Sequence, residues 1–193
     1  METADSCPPN RVEDIDQQNI DICDACRSAL MMTVDMHVHT FFSHDGYLSL
    51  DGLDRACRRR GLTAVAVTDH DVVHGAMEAH KLFLAGKSQT AVIVGEEVGT
   101  SQGEIIGLFL KEHVPAGMTL ADTIQAIREQ RALVYLNHPF GYARRSTKLC
   151  LADLDGLWNK IDIVEIFNGR NWDQTANEQA KQLAAKRNKT GGV

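Results

Sequence analysis

Residues 34–40 read VDMHVHT and residues 64–71 read AVAVTDHD. Each stretch is a short run of small or β-branched apolar residues that passes directly into titratable side chains. Nearly continuous apolar runs of this length are typical of strands that are buried on both faces of a sheet. In folds that alternate strands with helices, functional groups lie at the carboxyl ends of the strands. The two stretches therefore predict an α/β sheet or barrel with a polar site at one end.

The remainder of the chain continues this alternation. Apolar runs predict strands over residues 34–39, 64–68, 91–98, 105–110, 133–136 and 161–167. Helical spacing of apolar residues predicts helices over residues 50–61, 73–85, 120–131 and 172–186. Gly61, after three arginines, is typical of a helix C-terminus. Alternating units of this kind predict a mainly parallel sheet or a barrel.

The composition limits the class of protein. The chain has 193 residues, of which 44% are hydrophobic and 24% charged, and 20 basic against 26 acidic residues give a formal net charge of −6. These values suit a globular domain and exclude a wholly disordered chain, a collagen and a coiled coil. No apolar run approaches the ~18 residues of a membrane span, so we expect no membrane partner.

Two further expectations come from the composition. Residues 1–32 are rich in Asp, Asn and Gln, which predicts a partly disordered N-terminal extension before a domain over residues 33–193. The five cysteines are irregularly spaced, which favours reduced thiols over a disulfide framework and predicts a cytoplasmic location.

The first strand carries a histidine pair. His37 and His39 are two residues apart, so in a strand they point to the same face. Two imidazoles on a rigid strand are a good platform for Zn²⁺, Mn²⁺ or Fe²⁺. A pair of hydrogen-bonded histidines without a metal is the alternative.

Titratable residues also follow the next strands. Asp45 in the loop after the first strand is a candidate carboxylate ligand, or else a simple turn residue. His70 is a candidate ligand after the second strand, because consecutive titratable groups are costly to bury without a metal. Asp69 beside it is a candidate for orienting an imidazole. In the third strand, successive side chains point to opposite faces, so only one of Glu96 and Glu97 points into the site.

The last two predicted strands complete the candidate set. His138 ends one strand, and Pro139 prevents it from continuing into a helix. Glu165 lies inside the other, and Arg170 follows it. Arg170 could grip a phosphate with its planar guanidinium, or form a salt bridge with Glu165. A set of nitrogen and oxygen donors without thiolates favours an open, catalytic site with several metals over a closed structural zinc.

Taken in order, these motifs resemble the PHP (polymerase and histidinol phosphatase) family, and most closely its stand-alone metal-dependent phosphoesterases. The resemblance rests on the residues from Asp35 to Thr40, from Ser43 to Gly46 and from Ala66 to Asp71, with Gly95-Glu96-Glu97, Asn137-His138-Pro139 and residues 164–168 following. It implies a distorted (β/α)7 TIM-like barrel around two or three divalent ions (Mn, Zn or Fe). The ligands it implies are His37, His39, Asp45, His70, Glu97 and His138, with Glu97 bridging two ions.

Two departures from the family are visible. Relatives commonly end on a strand with a Ser-Asp-Ala-His element, whereas this sequence stops at residue 193, about where that element should begin. We therefore expect a barrel that lacks its last β/α unit or units, with two open edges that favour a homo-oligomer. In the strand after Glu97, Ile105 and Ile106 stand where some relatives have a histidine, so a third ion is less expected than two.

The resemblance implies an enzyme that hydrolyses a phosphate mono- or diester through a hydroxide that bridges two ions. The expected substrate is a nucleotide or a small sugar or amino-alcohol phosphate, with Arg170 and Asp69 as catalytic residues. One alternative is a 5′-directed exonuclease or oligonucleotide phosphodiesterase, with a short oligonucleotide as partner. Another is a degenerate, non-catalytic metal-binding domain. A hydrolase of C–N bonds usually needs a strand-end lysine, which the motifs do not offer.

Overall fold

A computed structural model describes residues 32–141, 149–171 and 174–193. The N-terminal extension that the sequence predicts over residues 1–32 lies, apart from Met32, outside the described residues. None of the helices in the described part of the chain is long and apolar enough to span a membrane.

Seven strands and four α-helices make up the described chain. The strands are β1 (Val34–Val38), β2 (Ala64–Val67), β3 (Ala91–Thr100), β4 (Gly103–Leu108), β5 (Leu133–Leu136), β6 (Ile163–Glu165) and β7 (Thr190–Gly192). The helices are α1 (Leu50–Arg60), α2 (His74–Ala85), α3 (Leu120–Glu129) and α4 (Thr175–Lys186), and two short 3₁₀ turns span Leu151–Leu154 and Trp158–Lys160. The alternating pattern of the sequence is confirmed.

The strands form one sheet in chain order, from β1 to β7. Neighbours pair in parallel except at β4, which is antiparallel to both β3 and β5. The reason is the connection: only residues 101 and 102 separate β3 from β4, and a link this short permits a hairpin but no crossover. The expected parallel sheet therefore contains one reversed strand.

The sheet is a nearly closed barrel. β7 pairs in parallel with β6, and the Met36 amide of β1 donates a hydrogen bond to the Val193 carbonyl at 2.7 Å. The expectation of two fully open edges is therefore wrong within the described residues. Gly191 and Gly192 permit this closure, since a Cβ on Gly192 would lie 2.5 Å from Cε2 of Tyr135.

Apolar side chains fill both faces of the barrel wall. Inside, beneath the polar end, a small cluster contains Ala66, Ile106, Leu108, Tyr135 and Ile163. Outside, one cluster lies under α1 and α2, and a larger one under α3 and the later segments. Helix ends follow the sequence signals: the Ser49 hydroxyl caps α1, and Gly61 ends it in the left-handed conformation (φ 66°). This packing fixes the strands whose carboxyl ends carry the polar residues.

Candidate metal centre

The histidines of β1 direct both rings at one carboxylate. The register of β1 against β2 shifts between Asp35 and Val38. His37 lies within this irregular stretch and His39 follows it, and Nε2 of His37 lies 3.1 Å from Nε2 of His39. The same two nitrogens lie 3.3 and 2.9 Å from Oε2 of Glu97. The two imidazoles thus share a face, as the two-residue spacing predicts.

The next strand and the loop after β1 extend this group. His70 follows β2 and forms an isolated parallel bridge with Glu97, which places its Nδ1 3.3 Å from Oε2 of Glu97. Oδ1 of Asp45 lies 3.0 Å from Nδ1 of His39, and Oδ2 lies 3.7 Å from Nε2 of His70. The Ser43 hydroxyl donates to Oδ1 of Asp45 at 2.9 Å and so holds the loop carboxylate in place.

The opposite wall contributes His138. Its Nε2 lies 2.8 Å from Oε1 of Glu97, and the side-chain amide of Asn137 donates to the same oxygen. The two oxygens of Glu97 therefore face different histidines, Oε1 towards β5 and Oε2 towards β1 and β2. Glu96 points to the other side of β3, where it accepts hydrogen bonds from His113 and from the Val114 amide. Alternation along β3 thus sends only Glu97 into the barrel mouth.

Second carboxylates determine which imidazole nitrogens carry protons. Oε1 of Glu165 lies 2.9 Å from Nδ1 of His37, and Oδ1 of Asp45 lies 3.0 Å from Nδ1 of His39. Because an ionised carboxylate only accepts hydrogen bonds, these Nδ1 atoms carry the protons. When both rings are neutral, their Nε2 lone pairs face Oε2 of Glu97. Three electron-pair donors that converge within about 3 Å need a cation between them.

The pKa values of the metal-free site also indicate that a positive charge belongs among these side chains. Burial would lower the pKa of His37, but the charge of Glu97 and the hydrogen bond to Glu165 raise it to about 10. Burial would raise the pKa of Glu97, but the neighbouring histidines hold it well below its ordinary value. Burial outweighs the nearby carboxylates at His70 and lowers its pKa. In the absence of metal, a proton on His37 thus serves as the cation.

The donor set fits divalent metal ions. Among the described residues, three groups each bring their donor atoms within 4.8 Å of one another: His37, His39 and Glu97; His39, Asp45 and His70; and His70, Glu97 and Glu104. The carbonyl oxygen of the Asn137 side chain is also buried and has no hydrogen-bond partner in the described structure. Imidazole and carboxylate donors without thiolates suit Zn, Mn and Fe. A cavity of about 760 Å³ opens over the donors.

The sequence of this chain matches the model of the PHP domain over residues 35–189. The chain belongs to the PHP domain family. It is 33% identical over 159 residues to an uncharacterized protein of Methanocaldococcus jannaschii, covering 77% of this chain and 89% of the relative. A second uncharacterized protein of that organism is 34% identical over 157 residues, which are 80% of this chain and 60% of the relative.

Solved structures share the fold of this PHP domain. A two-domain protein from Bacteroides vulgatus contains a predicted PHP-like metal-dependent phosphoesterase; it has a TM-score of 0.65 and 22% identity, over 83% of this chain and 50% of that one. A proposed metal-dependent phosphoesterase from Bifidobacterium adolescentis has a TM-score of 0.67 and 17% identity, over 83% of this chain and 86% of that one. An amidohydrolase from Chromobacterium violaceum, with bound sulfate and no metal, has a TM-score of 0.65 and 15% identity, over 83% of this chain and 86% of that one. This chain spans half the length of the Bacteroides protein.

Within this PHP domain, all six predicted ligands line the same cavity. They are His37, His39, Asp45, His70, Glu97 and His138. Arg170 lies at the rim with 66% of its side chain exposed, and its Nη1 is 3.4 Å from Oδ2 of Asp45. The alternative salt bridge between Arg170 and Glu165 is not what the structure favours, because Glu165 faces His37, the His138 amide and Asn168.

The role predicted for Asp69 needs correction. Its buried carboxylate accepts hydrogen bonds from the Thr40 amide at 2.6 Å and the Thr40 hydroxyl at 2.7 Å. Asp69 precedes His70 in an extended segment, so its side chain points to the other side of the strand. It therefore braces the turn after β1 instead of orienting an imidazole. In this PHP domain, Glu165 and Asp45 orient the rings.

The sequence did not predict one carboxylate of the centre, Glu104, or the partner of another, Glu165. Glu165 is recognisable as a buried acid in an apolar strand, but nothing in the sequence points to His37 as its partner. In the strand after Glu97, only Ile105 and Ile106 were compared with the histidine of relatives, and Glu104 was not among the candidates. Its oxygens lie 3.5 Å from Nδ1 of His70 and 3.6 Å from Nε2 of His138. The usable signal was the hairpin register, which sets Glu104 on the same face of β4 as Ile106.

Proposed function

We propose that this chain is a metal-dependent phosphoesterase that hydrolyses a phosphate mono- or diester. The convergence of His37 and His39 on Glu97, with lone pairs directed inward, is the observation that carries the proposal. The fold of PHP-like metal-dependent phosphoesterases supports it as well. The expected substrates are nucleotides and small sugar or amino-alcohol phosphates, which a cavity of about 760 Å³ could accept.

The residues that would hold the ions are His37, His39, Asp45, His70, Glu97 and His138. Divalent ions bound there would lower the pKa of water towards ~7 and neutralise charge on the phosphate oxygens. The two oxygens of Glu97 face separate histidine groups, which suits a carboxylate shared between two ions. Glu165 and Asp45 keep the rings of His37 and His39 in the tautomer that leaves Nε2 unprotonated.

The protein also supplies a group for the substrate. Arg170 is exposed at the rim of the cavity, and its guanidinium is beside Asp45. A guanidinium can donate two parallel hydrogen bonds to a phosphate and orient it over the centre. We therefore assign Arg170 to substrate binding and expect its loss to raise KM more than it lowers kcat.

A metal-supplemented assay of His37→Ala tests the proposal. After loading with Mn²⁺, the wild-type chain is offered a panel of phosphate mono- and diesters, and one or more should turn over. We expect His37→Ala to lose at least about 100-fold in kcat/KM, because it removes a donor at the converging point. His80→Ala is the control, since His80 is exposed on α2, and should keep activity within about twofold.

Two results would contradict the proposal. Normal turnover by His37→Ala would show that the centre is not the catalytic one. Metal binding by the wild type without hydrolysis of any ester would favour the degenerate, non-catalytic domain.

A second candidate function is supported by two aromatic side chains. Tyr47 is 94% exposed and Phe167 is 46% exposed, and both line the cavity over the centre. Exposed aromatic rings stack on nucleobases without regard to sequence. This favours a nucleotide or the 5′ end of a short oligonucleotide as substrate. Affinity for oligonucleotides that falls steeply with salt, and that Tyr47→Ala weakens, would favour an oligonucleotide phosphodiesterase over a small-molecule phosphatase.

A further inference from the structure

The position of Glu104 follows from the hairpin between β3 and β4. Register places Glu97 opposite Ile106 and Gly99 opposite Glu104. Ile106 and Leu108 belong to the cluster inside the barrel, whereas Ile105 belongs to the cluster outside it. Alternation therefore directs Glu104 inward, two residues nearer the barrel mouth than Ile106. Only 8% of Glu104 is exposed.

Two distances from the Glu104 carboxylate suit atoms that share a metal. They are 3.5 Å to Nδ1 of His70 and 3.6 Å to Nε2 of His138, longer than the ~2.7–3.2 Å of an N–H···O hydrogen bond. Donors that each lie ~2.0–2.2 Å from one ion stand roughly 3.0–3.6 Å apart in octahedral or tetrahedral geometry. The spacing is too wide for direct hydrogen bonds and suits common coordination.

The group around Glu104 differs in chemistry from the group on β1. His70, Glu97 and Glu104 offer one imidazole and two carboxylates, whereas His37, His39 and Glu97 offer two imidazoles and one carboxylate. The two groups have only Glu97 in common. Carboxylate-rich sets suit harder ions such as Mn²⁺, and imidazole-rich sets suit Zn²⁺.

We propose that Glu104 is a ligand of a second metal position, with His70 and Glu97, and that its carboxylate makes this position prefer Mn²⁺ to Zn²⁺. The inference rests on the proposed metal-dependent function, and it adds a ligand and a metal preference to that site. It implies that the two ions of this centre are chemically unequal.

Metal binding to the full chain tests this without an activity assay. The chain is stripped with a chelator and titrated calorimetrically with Mn²⁺ or Zn²⁺, and elemental analysis then counts the ions held. The variants are Glu104→Gln, which keeps the shape and removes the charge, and Glu104→His, which restores a donor of the other class. Glu112→Gln is the matched control, because Glu112 is exposed in the loop after β4. Far-ultraviolet circular dichroism checks that each variant is folded.

We expect Glu104→Gln to hold one Mn²⁺ fewer per chain, or to bind its weaker Mn²⁺ at least about tenfold less tightly. Glu104→His should bind a second ion but change the ratio of Zn²⁺ to Mn²⁺ affinity by at least about tenfold in favour of Zn²⁺. Glu112→Gln should match the wild type. If Glu104→Gln does not fold, the ratio of Zn²⁺ to Mn²⁺ affinity measured for Glu104→His tests the inference instead.

An unchanged stoichiometry with Mn²⁺ affinities within about twofold in Glu104→Gln would overturn the inference. An unchanged affinity ratio in Glu104→His would do the same. Neither result depends on turnover. If the wild type hydrolyses esters but Glu104→Gln keeps both ions, only the inference about Glu104 is refuted. If the wild type hydrolyses no ester and Glu104→Gln still loses an ion, only the proposed hydrolysis is refuted.

Discussion

The single interaction that most defines the centre is the contact between Glu165 and His37. Glu165 is 3% exposed and lies 2.9 Å from Nδ1 of His37. It also accepts a hydrogen bond from the His138 amide at 2.5 Å. One carboxylate from β6 therefore orients donors from β1 and β5. Sequence identifies each of these residues as unusual for a strand, but the pairing spans 128 positions and depends on barrel closure.

Glu165→Gln should weaken metal binding without unfolding the chain. The amide oxygen can still accept from Nδ1 of His37, but the charge that makes the ring a stronger donor is lost. We expect metal affinity to fall about 10- to 100-fold, as for other carboxylates behind a histidine ligand. Calorimetric titration with Mn²⁺ measures this, with Glu178→Gln on the exposed face of α4 as control. An affinity within about twofold of the wild type would show that Glu165 acts only in packing.

The metal-free protein should lose stability as the pH rises. The pKa of His37 is about 10 in the folded chain, against 6.5 ordinarily. A raised pKa contributes stability that is fully present below pH 6.5 and is lost as the pH rises through 10. Denaturant unfolding of chelator-treated protein at pH 6 and pH 9.5 should therefore show a larger effect of His37→Gln at pH 6. An equal effect at both pH values would contradict the raised pKa.

At the scale of elements, the strand that closes the barrel is the one that the sequence did not predict. Residues 190–192 read TGG, which offers a single β-branched side chain and no alternation. The structure needs glycine there because Ile166 and Tyr135 lie against the backbone of β7. The reversed β4 is a similar case, since apolar content alone does not give strand direction. By contrast, the long helices and the first two strands follow local signals, and they were predicted closely.

Gly192→Ala should destabilise the fold by overpacking. A Cβ at this position would lie 2.5 Å from Cε2 of Tyr135 and 2.9 Å from Cγ2 of Ile163. We expect the free energy of unfolding to fall by about 1–3 kcal/mol, measured by urea denaturation. Gly169→Ala is the control, because a Cβ there meets nothing within 4 Å. Equal stability of the two variants would mean that β7 does not pack as described.

For the molecule as a whole, the barrel brings together side chains that are scattered along the sequence. Residues as far apart in the sequence as Thr33 and Val193 line one cavity. Four of its acids, Asp45, Glu97, Glu104 and Glu165, contact histidines. The strand-end pattern together with the resemblance to the PHP family predicted six ligands, and all six of these side chains line this cavity. Glu104 and the role of Asp69 could not be predicted, because they depend on register and on which face of a strand is inside. At the middle of this cavity, we expect Glu97 to be the shared ligand of a metal centre.

Metal content per chain tests that claim most directly. Wild-type protein and Glu97→Gln are dialysed against Mn²⁺, freed of loose ions on a desalting column and analysed for metal, with the exposed Glu112→Gln as control. We expect two or more ions in the wild type and in the control, and a loss of at least one ion in Glu97→Gln, since both ions would depend on this carboxylate. Fewer than one ion in the wild type, or unchanged content in a folded Glu97→Gln, would contradict it.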